Sequence, residues 1–277
     1  MGTDLADLAS AYARDGFVSP VALFEAADVA GHRQILEDAE AQVGKLHYRP
    51  KVHTILRSPF ALASHKRVLD VVEQLIGPDI LLYNVEYIVK EAGAPSFVSW
   101  HQDLTYWGFD ADDQVSMWLA LSPATELSGC MRMIPGSHRG GMQQHDNTHD
   151  DDNVLYQGQT VRAVDEEAAV ACPLRPGEAS FHHGWTLHAS AANRSSDRRI
   201  GLNAQYIRPS MKQLKRNDTS AVLVRGEDRF HHYLQDTPAQ HDLDPDAVRH
   251  FNRLSDVHQS VVADGTIAKT TAGRGEA

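Results

Sequence analysis

Cysteine is nearly absent from this chain: its 277 residues hold two, Cys130 and Cys172. They make no C-x-x-C pair and no disulfide framework, so a reducing compartment is expected. Long apolar runs are missing too, and none would span a bilayer. The first residues, Met1-Gly2-Thr3-Asp4-Leu5-Ala6, lack the basic region and apolar run of a signal peptide. Ala6 stands where a myristoylation motif takes Ser or Thr. The expectation is a cytoplasmic protein with no membrane partner. There is no basic block either. Lys and Arg number 26 against 37 Asp and Glu, a net charge of −11, which speaks against nucleic acid as a partner. No internal repeat is visible, and nothing in the sequence gives the oligomeric state.

What is present is ordinary in bulk. Hydrophobic residues make up 42% and charged residues 23%, the composition of a soluble globular protein long enough to bury a large core. Along the chain the texture changes. Leu5, Leu8, Tyr12 and Ala13 recur at helical spacing up to Asp15-Gly16. Ser19-Pro20 followed by Leu23, Phe24, Val29, Ile35, Leu36 and Val43 reads as one longer or broken helix ending at Gly44, His47 to Leu56 as extended, and Val68, Leu69, Val72, Leu75 and Ile76 as an amphipathic stripe closed by Gly77-Pro78. From Ile80 the chain turns to short β-branched and aromatic runs: Ile80 to Lys90, Phe97 to Asp103, Val115 to Leu121, Cys130 to Ile134, Ala179 to His183 and Arg199 to Ile207. Polar residues 139–160, with His145, Asp146, His149 and Asp150 to Asp152, read as a long solvated loop able to act as a lid. Asp244-Pro245 opens a helix carrying Val248, Phe251 and Leu254. The sum is one domain: a helical part at about 1–78, a β core at about 80–210, a helical C-terminal part at 211–263 and a disordered tail at 264–277. It is mainly β with flanking α-helices, a sandwich or barrel braced by helices.

Within the β-rich middle, Trp100-His101-Gln102-Asp103 carries the chemistry. Residues two apart in a strand share a face, so His101 and Asp103 can present an imidazole and a carboxylate to one point. A second imidazole from a distant segment would complete two histidines and a carboxylate on one side of a metal, with the other side open. His188 is the candidate, with His182 and His183 as rivals. Sixteen histidines make any single one weak evidence. His101 and Asp103 hydrogen-bonding each other at a strand end would account for the same pair. Tyr106 and Trp107 follow at once and could form a partly apolar rim that meets substrate.

Taken in order, Trp100-His101-Gln102-Asp103-Leu104-Thr105-Tyr106-Trp107, Ser128-Gly129-Cys130-Met131, Pro135-Gly136-Ser137-His138, His188-Ala189-Ser190 and Arg199 resemble the phytanoyl-CoA dioxygenase family over about residues 10–210. The resemblance implies a double-stranded β-helix (jelly roll, cupin-like). It also implies iron(II) as cofactor, 2-oxoglutarate as co-substrate and dioxygen as oxidant. It places His101, Asp103 and His188 as metal ligands. The family's 2-oxoglutarate arginine stands eleven residues after the last histidine, which falls on Arg199 here; Arg198 is the adjacent rival. Ser190 matches a hydroxyl sharing the same carboxylate, Asn84 and Trp118 match strand positions lining the co-substrate pocket, and His138 is a candidate substrate contact. Halogenating relatives lack the carboxylate, so Asp103 implies hydroxylation or desaturation. The expected substrate is a small metabolite or natural-product intermediate. A zinc hydrolase and a cupin-like binding protein without turnover are the competing readings.

Overall fold

The computed structural model describes residues 5–155 and 158–263. Residues 1–4 and the tail expected at 264–277 lie outside the described residues. In the first part of the chain come α1 (Leu5–Asp15), β1 (Phe17–Ala22), α2 (Ala26–Val43), α3 (Arg57–Ala63) and α4 (Lys66–Ile76). The middle holds β2 (Ile80–Lys90), β3 (Val98–His101), α5 (Leu104–Trp107), β4 (Gln114–Ala120), β5 (Met131–Met133), β6 (Val170–Cys172), β7 (Glu178–His182), β8 (His188–Ser190) and β9 (Arg199–Ile207). The chain finishes with β10 (Ser220–Arg225), β11 (Leu234–Gln235) and α6 (Pro245–Ala263). No helix among the described residues is long and apolar enough to cross a membrane.

Two sheets carry the fold, a seven-stranded one in the order β1-β7-β4-β9-β2-β10-β11 and a four-stranded one in the order β3-β8-β5-β6. This is the mainly β, helix-flanked jelly roll expected, with both sheets open. The large sheet has two unlike faces, and the sequence of β9 shows why. Ile200, Leu202, Ala204 and Tyr206 alternate with Arg199, Gly201, Asn203 and Gln205, and a strand sends alternate residues to opposite sides. The first set joins Val85, Tyr87 and Val89 of β2, Met117 and Leu119 of β4 and Phe181 of β7 in the main core. Against it pack Leu8 and Tyr12 of α1, Val29 and Leu36 of α2, Leu62 of α3, and Val68 and Val72 of α4. The second set faces the small sheet. It is polar yet all of β9 is buried, so it lines an interior space and not solvent.

One close approach on that inner face fixes an aromatic. A Cβ added to Gly201 would lie 2.0 Å from Cζ2 of Trp118, so the indole rests on bare backbone. Gly201→Ala is expected to displace Trp118 and to cost about 1–3 kcal/mol. Chemical denaturation checks this; an unchanged midpoint would show that the ring can shift freely.

Three segments differ from the sequence reading. The part at 211–263 is not helical throughout. Ser220-Ala-Val-Leu-Val-Arg225 pairs antiparallel with β2 as β10, and β11 pairs parallel with β10, so only α6 is helical there. The open edge of β2 offers backbone partners that local periodicity does not show. The stretch 47–56 forms no strand: it makes one isolated bridge, between His47 and Tyr87, and then a 3-10 turn at Val52–Thr54. Lys51, at φ 69° beside that turn, is buried against Asp236 and the carbonyls of Tyr83 and Ser220, and so ties the C-terminal segment down. Finally, β3 stops at His101, and Asp103 lies in the first turn before α5 with φ −58° and ψ −45°.

Candidate active site

His101 ends β3 and His188 begins β8, and the two residues are direct antiparallel partners. Directly opposed residues project to the same face, and here the ring centroids lie 4.1 Å apart. Asp103 reaches the same point from the helical turn, not from the strand alternation expected. Its Oδ1 lies 3.5 Å from His101 Nε2 and 3.6 Å from His188 Nε2. The ligand atoms of the three residues all fall within 4.8 Å of one another.

Each member is held from behind. His101 Nδ1 bonds the Ser99 carbonyl at 2.9 Å and His188 Nδ1 bonds the Thr186 carbonyl at 3.0 Å. A carbonyl accepts only from N–H, so each ring carries a proton on Nδ1 and turns its Nε2 toward Asp103. Asp103 Oδ2 accepts from Ser116 Oγ at 3.0 Å and faces His182 Nε2 at 3.2 Å. Only Oδ1 is therefore left toward the two histidines. Burial opposes the charge on Asp103, but His188, His101 and His182 outweigh it and hold the carboxyl well below its ordinary value. Burial, then His101, pushes His188 well below the usual imidazole range. Gln102, between the ligands, is buried: its amide donates to the carbonyls of Gly141 and Trp185 and accepts from Gln143 N. It pins the start of the 139–160 loop beside the site.

The triad opens on a cavity of about 510 Å³ between the two sheets, to which α6 adds His258 and Val262. At its far end Arg199 is buried and stacks on Trp118, with Cζ 5.0 Å from the ring centroid. Its Nη1 donates to the Gly129 carbonyl at 2.6 Å, while Nε has no partner. Gly129 is needed there because a Cβ would meet the Ala191 carbonyl oxygen at 2.0 Å. Among the described residues no carboxylate pairs with Arg199, and burial pushes its pKa down to about 10. The neighbour Arg198 points the other way, into Glu40 and Glu91.

The other expected residues divide. Ser190, Trp118, Tyr106 and Trp107 line the cavity, and the Tyr106 hydroxyl has no hydrogen-bond partner among the described residues. Asn84 is not among the lining residues. A register shift in β2 lies beside it, and its Oδ1 accepts the Lys51 amide, which fixes the turn that brings Tyr48 to the cavity. His138 is also elsewhere. Gly136 N donates to the Asp15 carbonyl, so the 3-10 turn Ser137–Gly140 rests on the end of α1 and His138 lies against Gly16. His183, just past β7, lies there with its ring tilted against that of His138 at 5.5 Å, and unlike His182 it does not line the cavity. Sequence reasoning missed Ser116, the role of His182, Tyr48, Glu86, Asn203 and Gln205. Glu86 had a readable signal, a lone acid in an apolar strand; burial pushes its pKa up to about 7, against one bond from Asn203 at 3.3 Å.

Two imidazoles and one carboxylate oxygen on one side of an open space form a donor set that fits iron(II). A buried arginine without a counter-ion across the same cavity fits a dicarboxylate anchored at both ends. The sequence model of a family described as phytanoyl-CoA dioxygenase (PhyH) matches residues 12–201. The chain belongs to this family. The chain resembles a probable alpha-ketoglutarate-dependent hypophosphite dioxygenase of Stutzerimonas stutzeri at 28% identity over 173 residues, 60% of each protein. It resembles the peroxisomal phytanoyl-CoA dioxygenase of Homo sapiens at 26% over 152 residues, 53% of this chain and 45% of that protein. The chain's match therefore spans less than two thirds of these relatives. The solved non-heme monooxygenase ThoJ, in its apo form, superimposes with a TM-score of 0.81 at 29% identity over 94% of this chain and 98% of its own. Family membership thus agrees with the cofactors the donor set fits, iron and 2-oxoglutarate.

Proposed function

We propose that this protein is an iron(II)- and 2-oxoglutarate-dependent dioxygenase that hydroxylates or desaturates an aliphatic carbon of a small metabolite or natural-product intermediate. One observation carries the reading: a two-histidine, one-carboxylate set and an arginine without a counter-ion face the same cavity from opposite ends. The iron, when bound with 2-oxoglutarate and dioxygen, supplies the oxidising power, with succinate and carbon dioxide released and one oxygen atom available to the substrate. The chain's own share is positioning and shielding. His101, Asp103 and His188 would hold the metal, with Ser116 and His182 keeping Asp103 Oδ2 occupied. Arg199 and Ser190 would take the far carboxylate of the co-substrate, with Trp118 walling it in. Tyr106 and Trp107 face the remaining space, where a volume of about 510 Å³ suits a small ligand. Two free buried cysteines and the overall acidity favour a cytoplasmic enzyme with small-molecule partners and no nucleic acid.

A zinc hydrolase would leave Arg199 without a purpose, and a binding protein without turnover would release no product. Succinate formation that requires iron(II), 2-oxoglutarate and dioxygen together is the expected result, read by mass spectrometry across a panel of candidate metabolites. Asp103 keeps the position that a halide would need, so product formed in chloride buffer is expected to carry oxygen or a new double bond. A chlorinated product would overturn this reading of Asp103, and succinate-free turnover with zinc would overturn the whole.

A further inference from the structure

The far end of the cavity holds a second buried cation that the reading above does not use. Lys90, the last residue of β2, is the direct partner of Arg199 across the β2–β9 ladder, so both side chains leave the same face of the sheet. Lys90 is buried and is not a cavity-lining residue. Its Nζ donates to Ser190 Oγ at 2.7 Å, to the Ser190 carbonyl at 3.0 Å and to the Ala191 carbonyl. Those three acceptors use all three hydrogens of an ammonium. No carboxylate pairs with Lys90 among the described residues. Its own backbone is clamped by Asn193, whose Nδ2 donates to the carbonyls of Lys90, Glu91 and Asp197.

With its hydrogens spent, Lys90 cannot reach a ligand itself. It can decide what Ser190 does. A serine hydroxyl that accepts from an ammonium keeps its own proton to give away, and Ser190 Oγ has no other hydrogen-bond partner among the described residues. Ser190 lines the cavity beside Arg199. We propose that Lys90 is a positioning residue for the co-substrate: it fixes Ser190 as a donor into the cavity and adds a second positive charge behind Arg199, so that this end of the site selects a dicarboxylate over a monocarboxylate. The inference rests on the reading that Arg199 binds the far carboxylate. Without co-substrate, burial and then the charge on Arg199 push Lys90 down to about 6; a carboxylate held by Arg199 offsets the second cause, so the ammonium and its second positive charge belong to the co-substrate-bound site.

The test is a selectivity measurement, made anaerobically on the iron(II)-loaded protein. Dissociation constants are compared for 2-oxoglutarate and for 2-oxobutanoate, which has the same keto-acid head and no second carboxylate. Lys90→Met is expected to lose about tenfold of the preference for 2-oxoglutarate, the scale of one hydrogen bond to a charged group, with 2-oxobutanoate binding unchanged. Ser190→Ala is expected to lose a similar factor, and the double variant no more than the larger single loss, because the two residues act as a unit. Equal weakening of both acids in Lys90→Met would mean a structural role only, and additive losses would mean that Lys90 does not act through Ser190; either result overturns the proposal. Ser190→Ala keeps the cation and its two carbonyl bonds, so it decides the question even where Lys90→Met does not fold: an unchanged preference leaves Lys90 nothing to relay. Arg199→Ala serves as the separate control. If it keeps the preference for 2-oxoglutarate, the reading of Arg199 fails, whatever Lys90 does.

Discussion

Arg199→Ala is expected to weaken 2-oxoglutarate binding by tens-fold or more, while iron(II) binding in the absence of co-substrate stays as it was. Removing one partner of a buried, hydrogen-bonded charge pair costs roughly 2–5 kcal/mol, and each 1.4 kcal/mol is about tenfold in affinity. Arg199 meets the conditions for the full effect, since it is 2% exposed and has no competing carboxylate among the described residues. Its Nη1 is committed to Gly129 and its buried Nε has no partner among the described residues, so the guanidinium keeps donor capacity that this structure does not use. Arg199→Lys should not rescue binding, because an ammonium cannot offer two parallel donors. For stability the sign is opposite. In the protein without co-substrate this arginine is a buried charge held against its solvation cost, and truncating it should leave the melting temperature level or raise it. Calorimetric titration with 2-oxoglutarate and thermal unfolding of the free protein check the two halves. Unchanged affinity would remove Arg199 from the site, and Arg198, tied up on the other face by Glu40 and Glu91, could not replace it.

That two-sided behaviour of β9 also explains what the sequence could and could not tell. The strands at 80–90 and 199–207 are legible because they are long, β-branched and aromatic, and the structure gives them those bounds. Arginine, glycine, asparagine and glutamine at every second position of β9 could mean a solvated face or a cavity wall. Only the tertiary partner decides between them, and here it is the small sheet. His101 and His188 converge because β3 and β8 pair in that register, a long-range fact that the motif order implies without explaining. Strand alternation predicts Asp103 beside them; the backbone instead turns helical there, and the carboxylate arrives by another route. His138 and Asn84 depart from expectation for one reason. Each sits in a motif of the right type, yet local contacts, the end of α1 for one and the Lys51 turn for the other, claim the side chain first. β10 is invisible as a strand in the sequence because its reason to exist is the unpaired edge of β2.

Asp103→Ala is expected to cut iron(II) affinity by more than about 100-fold and to abolish iron-dependent succinate formation. Disturbing an outer partner of a metal ligand already costs 10–100-fold, and here the one anionic ligand itself is lost. The loss should be larger than a simple ligand count suggests, because Asp103 joins two sets of contacts. Its Oδ1 faces His101 and His188, and its Oδ2 is shared by Ser116 and His182. Without the carboxylate, three buried imidazoles crowd one point: the centroids of His101 and His188 are 4.1 Å apart and those of His182 and His188 4.7 Å. The one carboxylate among the three residues that could hold the metal is then gone. Asp103→Asn separates charge from shape, since the amide can keep a bond to Ser116 but brings no negative charge; it should fail nearly as badly. His183→Ala is the matching control, as that ring lies beside His138 and does not line the cavity, and its removal should leave iron binding intact. Anaerobic titration with iron(II) measures all three. If Asp103→Ala binds iron as tightly as the unaltered chain, the metal is held by the histidines alone, and the open-faced geometry on which the oxygenase reading depends is wrong.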